Sequence, residues 1–246
     1  PKAITKGIES AEGSLGGARL EKEQRRAVRS LSAGSGWGVL TGRAGTGKGP
    51  VLEAVAEAHR QDGWQVIATA VDGATTQRLG HQVGAAALTI DQLLFRLRRG
   101  QVELNDQTLI LIEEASKVGL RHWVELARMR AQHGVRVIPI GDVEQIGAIE
   151  SPGMLDVMIA DESVPVARLE TVRRHRNPED RSQDHPWIGK HLNHMYEGEA
   201  EEAIAVLREA GAIEMHGGRA EAMEQLVDKW ERRRREHGIE ARDSVL

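Results

Sequence analysis

An α/β fold built on a doubly wound parallel sheet is predicted for this 246-residue chain, and three observations predict it. A short apolar run, Gly38 to Thr41, feeds a glycine-rich turn that opens directly into an amphipathic helical pattern. A second run, Thr108 to Ile112, is apolar without alternation and ends in two acids. That pattern suits a strand of a parallel sheet, which helices cover on both faces. Strand-like and helix-like segments then alternate, which implies right-handed crossovers and ligands at the carboxyl ends of the strands.

Taken in order, residues 1–18 are rich in Gly, Ser and Ala and are expected to form a linker or loose N-terminus. Leu20 to Leu31 reads as a helix with Leu20, Ala27, Val28 and Leu31 on one side. Ser32 to Gly36 is a turn, and Trp37 to Thr41 the first strand. Gln65 to Val71 is a second short apolar run between glycines. Thr89-Ile-Asp-Gln92 is a capping box opening a helix from Gln92 to Arg99. After the strand Thr108 to Ile112, residues Leu120, Trp123, Val124 and Ala127 mark a helix. Val135 to Ile140 is a fourth strand and Val164 to Leu169 a fifth.

Beyond Pro178 the pattern changes. A polar, His-rich stretch runs from Arg181 to Gly198, followed by a helical stripe at Ala200, Ala203, Ile204 and Leu207. A short strand is expected at Ala212 to Met215, then a second stripe at Met223, Leu226, Val227 and Trp230. The expected organisation is therefore residues 1–18 as linker, 19–178 as one α/β domain, and 179–246 as the incomplete start of a second. Pro1 in place of Met, and strand-like Asp243 to Leu246, suggest an excerpt of a longer protein.

Composition excludes several classes. There is no Cys, hence no disulfide, thiol catalysis or cysteine metal site. No run approaches the ~18 apolar residues of a membrane span, and no signal peptide is visible, so a cytoplasmic location is expected. With a net charge of −4, any nucleic-acid contact must come from local patches.

The chemistry concentrates at the first turn. Gly42, Arg43, Ala44, Gly45, Thr46, Gly47, Lys48 and Gly49 follow the first strand. Glycines there let successive backbone N–H groups face one anion, and the helix N-terminus adds partial positive charge. Lys48 adds a full charge for the outer phosphates. The spacing Gly42-x4-Gly47-Lys48 fits a nucleoside-triphosphate loop except at the last position, where Gly49 replaces the Ser or Thr that holds Mg²⁺. That hydroxyl contact is typically worth ~1.5–3 kcal/mol. Pro50 falls in the first helical turn, where its missing N–H costs nothing.

Glu113 and Glu114 end the strand Thr108 to Ile112, where a metal carboxylate and a water-activating acid belong. Gly141-Asp142-Val143-Glu144-Gln145 ends the next strand; a carboxamide there can face a γ-phosphate or the attacking water. Leu169-Glu-Thr-Val-Arg-Arg-His-Arg176 brings arginines that can stabilise charge on the transferred group.

As a set, in this order, these motifs resemble superfamily-one DNA helicases, and among them the RecD-like helicase region of conjugative relaxases of the TraA/TrwC type. The resemblance covers Leu20 to Arg176 well and the remainder loosely. It implies a RecA-like P-loop NTPase fold, ATP and Mg²⁺ as cofactors, and single-stranded DNA as partner. It also implies a second motor domain and a relaxase domain elsewhere in the same longer chain. Residue by residue, Gln24 matches an adenine-reading glutamine, Lys48 the phosphate lysine, Glu113 the metal ligand and Glu114 the catalytic acid. Gln145 matches the γ-phosphate-sensing glutamine and Arg174 the arginine of the fourth motif. Thr69 to Gln77 stands where the family contacts DNA, and Thr75, Thr76 and Gln77 are the residues expected to hydrogen-bond its backbone. Gly49, Glu113 in place of Asp, and Ser116-Lys117 depart from the pattern, and motifs carrying a second arginine are not found. The competing readings are a decayed single-stranded-DNA-binding module and a small-molecule kinase on the same loop.

Weaker candidates are His185, His191 and His194 as metal ligands, the run Arg232 to Arg235 as a phosphate patch, and Trp187 as an exposed stacking ring. Trp123 and Trp230 lie on apolar stripes and are expected in the core.

Overall fold

The computed structural model describes residues 2–17, 19–34, 36–142, 153–171 and 187–236. The chain divides into two units, Pro1–Arg176 and Asn177–Leu246. The first holds helices α1 (Lys2–Ser14), α2 (Lys22–Ala33), α3 (Lys48–Gln61), α4 (Gly73–Val83), α5 (Ile90–Arg98), α6 (Leu120–His133) and α7 (Met154–Ala160). Its strands are β1 (Val39–Gly42), β2 (Gln65–Thr69), β3 (Ala86–Ala87), β4 (Thr108–Ile112), β5 (Arg136–Gly141) and β6 (Val166–Leu169). They form one parallel sheet in the order β3-β2-β4-β5-β1-β6.

Alternation along each strand divides the core in two. Leu40, Leu109, Leu111, Ile138 and Ile140 pack with Val28, Leu31, Val51, Leu52, Val55 and Leu79. Their neighbours Val39, Ile67, Ile110, Ile112 and Val137 pack on the other side with Leu93, Trp123, Leu126, Met129 and Leu155. Helices α1–α4 thus cover one face and α5–α7 the other. Burial on both faces explains the unbroken apolar character of β4.

The sheet order also places the site. The chain leaves β1 for β2, on one side, and leaves β5 for β6, on the other. Adjacent strands whose connections depart in opposite directions open a crevice at their carboxyl ends. The β1 turn, the β4 tip and the β5 tip all lie at that end.

Three expectations are corrected in this unit. Residues 2–14 are not a linker but a helix, α1, with Ala3, Gly7, Ile8 and Ala11 buried. A Cβ on Gly7 would lie 2.2 Å from the Ala54 carbonyl oxygen of α3, so small residues here serve close helix packing, not looseness. Gly7→Leu is accordingly expected to destabilise the fold by about 1–3 kcal/mol, read by urea unfolding; an unchanged midpoint would mean that α1 is not docked. The second correction concerns α6, whose inward face is Trp123, Leu126 and Met129 while Leu120 and Val124 are exposed. The third is α4, which occupies the stretch expected to meet DNA. Its Thr75 and Thr76 are buried. Asp72 caps the helix by accepting from the Thr75 N–H at 2.8 Å, and the Thr76 hydroxyl donates to the Asp72 carbonyl at 2.6 Å. Gln77 remains exposed.

The second unit contains α8 (Ile188–Glu197), α9 (Ala200–Glu209) and α10 (Arg219–Glu236). Residues Ala212–Met215 are not a strand. The stripe on α10 is not core either: Met223, Leu226 and Val227 are exposed, and Trp230 is half-buried beneath the Arg234 guanidinium, 5.5 Å from its ring. Periodicity established a one-sided helix, but no apolar face among the described residues of this unit covers that side. Trp187 is half-buried.

Candidate active site

The turn after β1 is shaped by glycines that tolerate no side chain. Gly45 and Gly47 take positive φ, 86° and 84°. A Cβ on Gly42 would lie 2.6 Å from the Leu169 carbonyl oxygen, so the turn presses directly on β6. Gly47 caps α3, whose N-terminal N–H groups therefore open toward the turn. Thr46 is fully buried, its hydroxyl donating to the Arg43 carbonyl at 2.9 Å, and it holds the turn closed from within. The Lys48 ammonium donates to the carbonyls of Gly42 at 2.5 Å and Arg43 at 3.1 Å, folding back over the turn it ends.

A cleft of about 560 Å³ lies along this turn, lined by Gly45, Gly47, Lys48 and Gly49. Opposite stand Glu113 and Glu114 from β4 and Asp142 from β5. From α4 come Arg78 and Gln82. A smaller cleft of about 340 Å³ on the other side of the turn is lined by Gly42, Arg43, Asp142 and Arg168, among others.

The two acids differ. Glu113 follows β4 with its N–H bonded to the Thr69 carbonyl at 2.9 Å. Its Oε1 faces the Arg78 guanidinium at 3.3 Å, and its Oε2 is buried with no hydrogen-bond partner among the described residues. Burial pushes the Glu113 carboxyl above its ordinary range, against the pull of Arg78. Glu114 is half-exposed and pairs with the Lys117 ammonium at 2.6 Å. Among the described residues it is the only non-glycine residue with positive φ, 52°. A left-handed glutamate costs roughly 1–2 kcal/mol and persists only where the surroundings impose it. Glu114 lines the cleft just beyond the end of β4.

Of the residues singled out in sequence, Ala44, Gly45, Gly47, Lys48, Gly49, Glu113 and Glu114 line one cleft, and Gly42 and Arg43 line the other. Gln24 lines neither. It is buried on α2, where its Nε2 donates to the Gly47 carbonyl at 3.1 Å and its Oε1 accepts from the Glu21 N–H at 3.1 Å. In this conformation it braces the turn from behind. Gln145 and Arg174 lie outside the described residues, as does His185. His191 and His194 do not converge: the Nδ1 of His191 is 2.9 Å from the Ala203 carbonyl, and that of His194 is 2.6 Å from Glu199. Arg78 and Gln82 were not singled out by sequence, and Asp142 only as part of the strand-end motif, with no role of its own. A Gly-Asp pair at a strand tip pointed to Asp142, but nothing local marks two positions on a helix as facing a turn far away in the chain.

The donors fit a hard divalent cation beside a triphosphate: carboxylate oxygens from Glu113 and Asp142, the Glu113 Oε2 buried without a partner among the described residues, at the mouth of an amide-lined turn. Sheet order and turn together define an α/β domain with the fold of P-loop NTPases. The chain matches the family described as AAA domain over residues 19–218, and it belongs to that family.

Its relatives sharpen the picture. It is 27% identical over 214 residues to the conjugal transfer protein TraA of Agrobacterium fabrum, covering 87% of this chain and 18% of that protein. It is 29% identical over 162 residues to the ATP-dependent RecD2 DNA helicase of Deinococcus radiodurans, covering 63% of this chain and 22% of the helicase. The chain thus spans about a fifth of the length of these relatives. Among solved structures, the Pif1 helicase from Candida albicans superposes with a TM-score of 0.51 at 19% identity, over 73% of this chain and 44% of that one. The expected resemblance to RecD-like and TraA-type proteins is met, and the fold is that of helicase P-loop NTPases. No helix among the described residues is long and apolar enough to cross a membrane.

Proposed function

We propose that this chain binds ATP with Mg²⁺ in the cleft between the β1 turn and the β4 tip, as the first motor domain of a cytoplasmic helicase or translocase acting on single-stranded DNA. The observation that carries this reading is the convergence of Lys48, Glu113 and the strained Glu114 on one cleft from two separate strands.

In this reading the turn amides and the α3 N-terminus bind the phosphates. Lys48 exchanges its bonds to the Gly42 and Arg43 carbonyls for the outer phosphate oxygens. Glu113 would hold the metal, which when bound neutralises charge across the phosphate oxygens. Glu114 accepts a proton from the attacking water as general base, releasing the Lys117 ammonium it now pairs with. We assign Gln145 and Arg174 to the γ-phosphate. Gln24 reads adenine only after releasing the Gly47 carbonyl. Residues 179–246 are proposed as the start of a second motor domain. The chain's partners are then single-stranded DNA and the rest of a longer protein, a relaxase domain included. Unwinding requires two such domains closing on ATP.

The decayed-module reading is favoured by Gly49, which lacks the metal-holding hydroxyl, and by Glu113 standing where the pattern has Asp. A titration with a fluorescent, non-hydrolysable ATP analogue, with and without Mg²⁺ and a single-stranded oligonucleotide, separates the two. Mg²⁺-dependent binding that DNA strengthens is expected. DNA binding without Mg²⁺-dependent nucleotide binding would establish the decayed module instead.

A further inference from the structure

The loop position that should carry a hydroxyl is glycine, yet its surroundings are filled. A Cβ built on Gly49 would lie 2.1 Å from Gln82 Nε2 and 3.3 Å from Gln82 Oε1. The end of the Gln82 side chain therefore stands in the space that a serine or threonine side chain at position 49 would need. Glycine at 49 and glutamine at 82 are sterically linked: a side chain at the first excludes the amide of the second from this place.

The position of Gln82 is fixed from its backbone. It lies in the last turn of α4 beside Val83, which is buried in the same core as Leu79. The Arg60 guanidinium of α3 donates to the Val83 carbonyl at 2.7 Å, tying the two helices together at this end. Gly80 lets α4 approach β3, where a Cβ would lie 2.7 Å from that of Ala87. From this anchored helix Gln82 reaches into the cleft, whose other walls include Glu113, Glu114 and Asp142.

We propose that the Gln82 carboxamide supplies the oxygen ligand to the nucleotide-bound divalent cation that Gly49 cannot supply. This rests on the nucleotide reading above and deepens it: the site is re-equipped, not decayed. A carboxamide carbonyl is a hard oxygen donor of the kind Mg²⁺ accepts. A half-turn of the terminal amide exchanges its N and O, and a cation selects the oxygen. The ligand comes from a different helix, so nothing in the loop motif reveals it.

The test uses Mn²⁺ as probe, titrated by electron paramagnetic resonance into this chain saturated with a non-hydrolysable ATP analogue. Gln82→Ala should weaken Mn²⁺ binding roughly 10–100-fold, as losing a metal-supporting side chain does. Affinity for the analogue in EDTA should stay within about twofold, since the phosphates keep their amides and Lys48. Adding Gly49→Ser to Gln82→Ala should restore most of the Mn²⁺ affinity, because the amide no longer fills the space. Gln82 is exposed, so its removal leaves the fold intact. Unchanged Mn²⁺ affinity in Gln82→Ala overturns the proposal, as does an equal loss of analogue binding in EDTA, which would make Gln82 a phosphate donor. Failure of the unaltered chain to bind the analogue under any condition overturns the nucleotide reading itself, a different result.

Discussion

Lys48→Ala should abolish ATP turnover in the full-length parent and weaken triphosphate binding by at least tenfold. The ammonium sits at the junction of turn and helix, 2.5 Å from the Gly42 carbonyl and 3.1 Å from that of Arg43. It is the cationic side chain that the loop itself delivers to the larger cleft. A charge-assisted hydrogen bond to an outer phosphate is worth about 1.5–3 kcal/mol, which converts to roughly 10–150-fold in affinity. The effect on turnover is larger still, because charge on the transferred group grows toward the transition state. Loss of the side chain also frees two loop carbonyls, so circular dichroism and a thermal melt must accompany the assay. Turnover equal to that of the unaltered parent would remove this cleft as the site of hydrolysis.

Glu114→Gln is the second large effect. Turnover should fall roughly 10²–10⁴-fold, the contribution of a positioned general base, while analogue affinity stays near that of the unaltered chain. The split between rate and binding is what marks this acid, since a residue that merely holds the strand tip would alter both. Its neighbour should respond differently. Burial holds the Glu113 carboxyl above its ordinary range, so the folded chain binds that proton more tightly than the unfolded chain does. Stability therefore declines as pH rises through the window between the ordinary and the elevated value, and the cost persists at neutral pH. Glu113→Gln should remove that cost. It should raise stability by on the order of 0.5–2 kcal/mol, as relief of an active-site charge commonly does, while Mg²⁺-dependent nucleotide binding is lost. A melt of the variant at neutral pH, compared with one at acid pH where the difference should shrink, checks the sign.

Part of this site was legible because its chemistry is written locally. The spacing of Gly42, Gly47 and Lys48 acts through backbone geometry over a few residues, and Glu113 and Glu114 are placed by the end of an apolar strand. Elsewhere local composition misled. Gly and Ala in α1 indicated looseness but serve the close approach to Ala54. The inward face of α4 is Thr75, Thr76, Leu79, Gly80 and Val83, too small and polar to stand out as a helical stripe. The Leu120 and Val124 stripe of α6, and that of α10, show that an apolar row need not be covered.

The sequence by itself determined that a strand, an amide-lined turn and a helix follow one another, and that acids end a second buried strand. Those features depend on φ/ψ freedom, capping and hydrophobic continuity, each set within a few residues. Only the tertiary structure decided that β5 lies between β4 and β1, which brings Asp142 to both clefts. It alone set Gln24 behind the turn and Gln82 across from Gly49. Such pairings follow from how helices seat on a twisted sheet, and side-chain volume at remote positions, not spacing along the chain, fixes them.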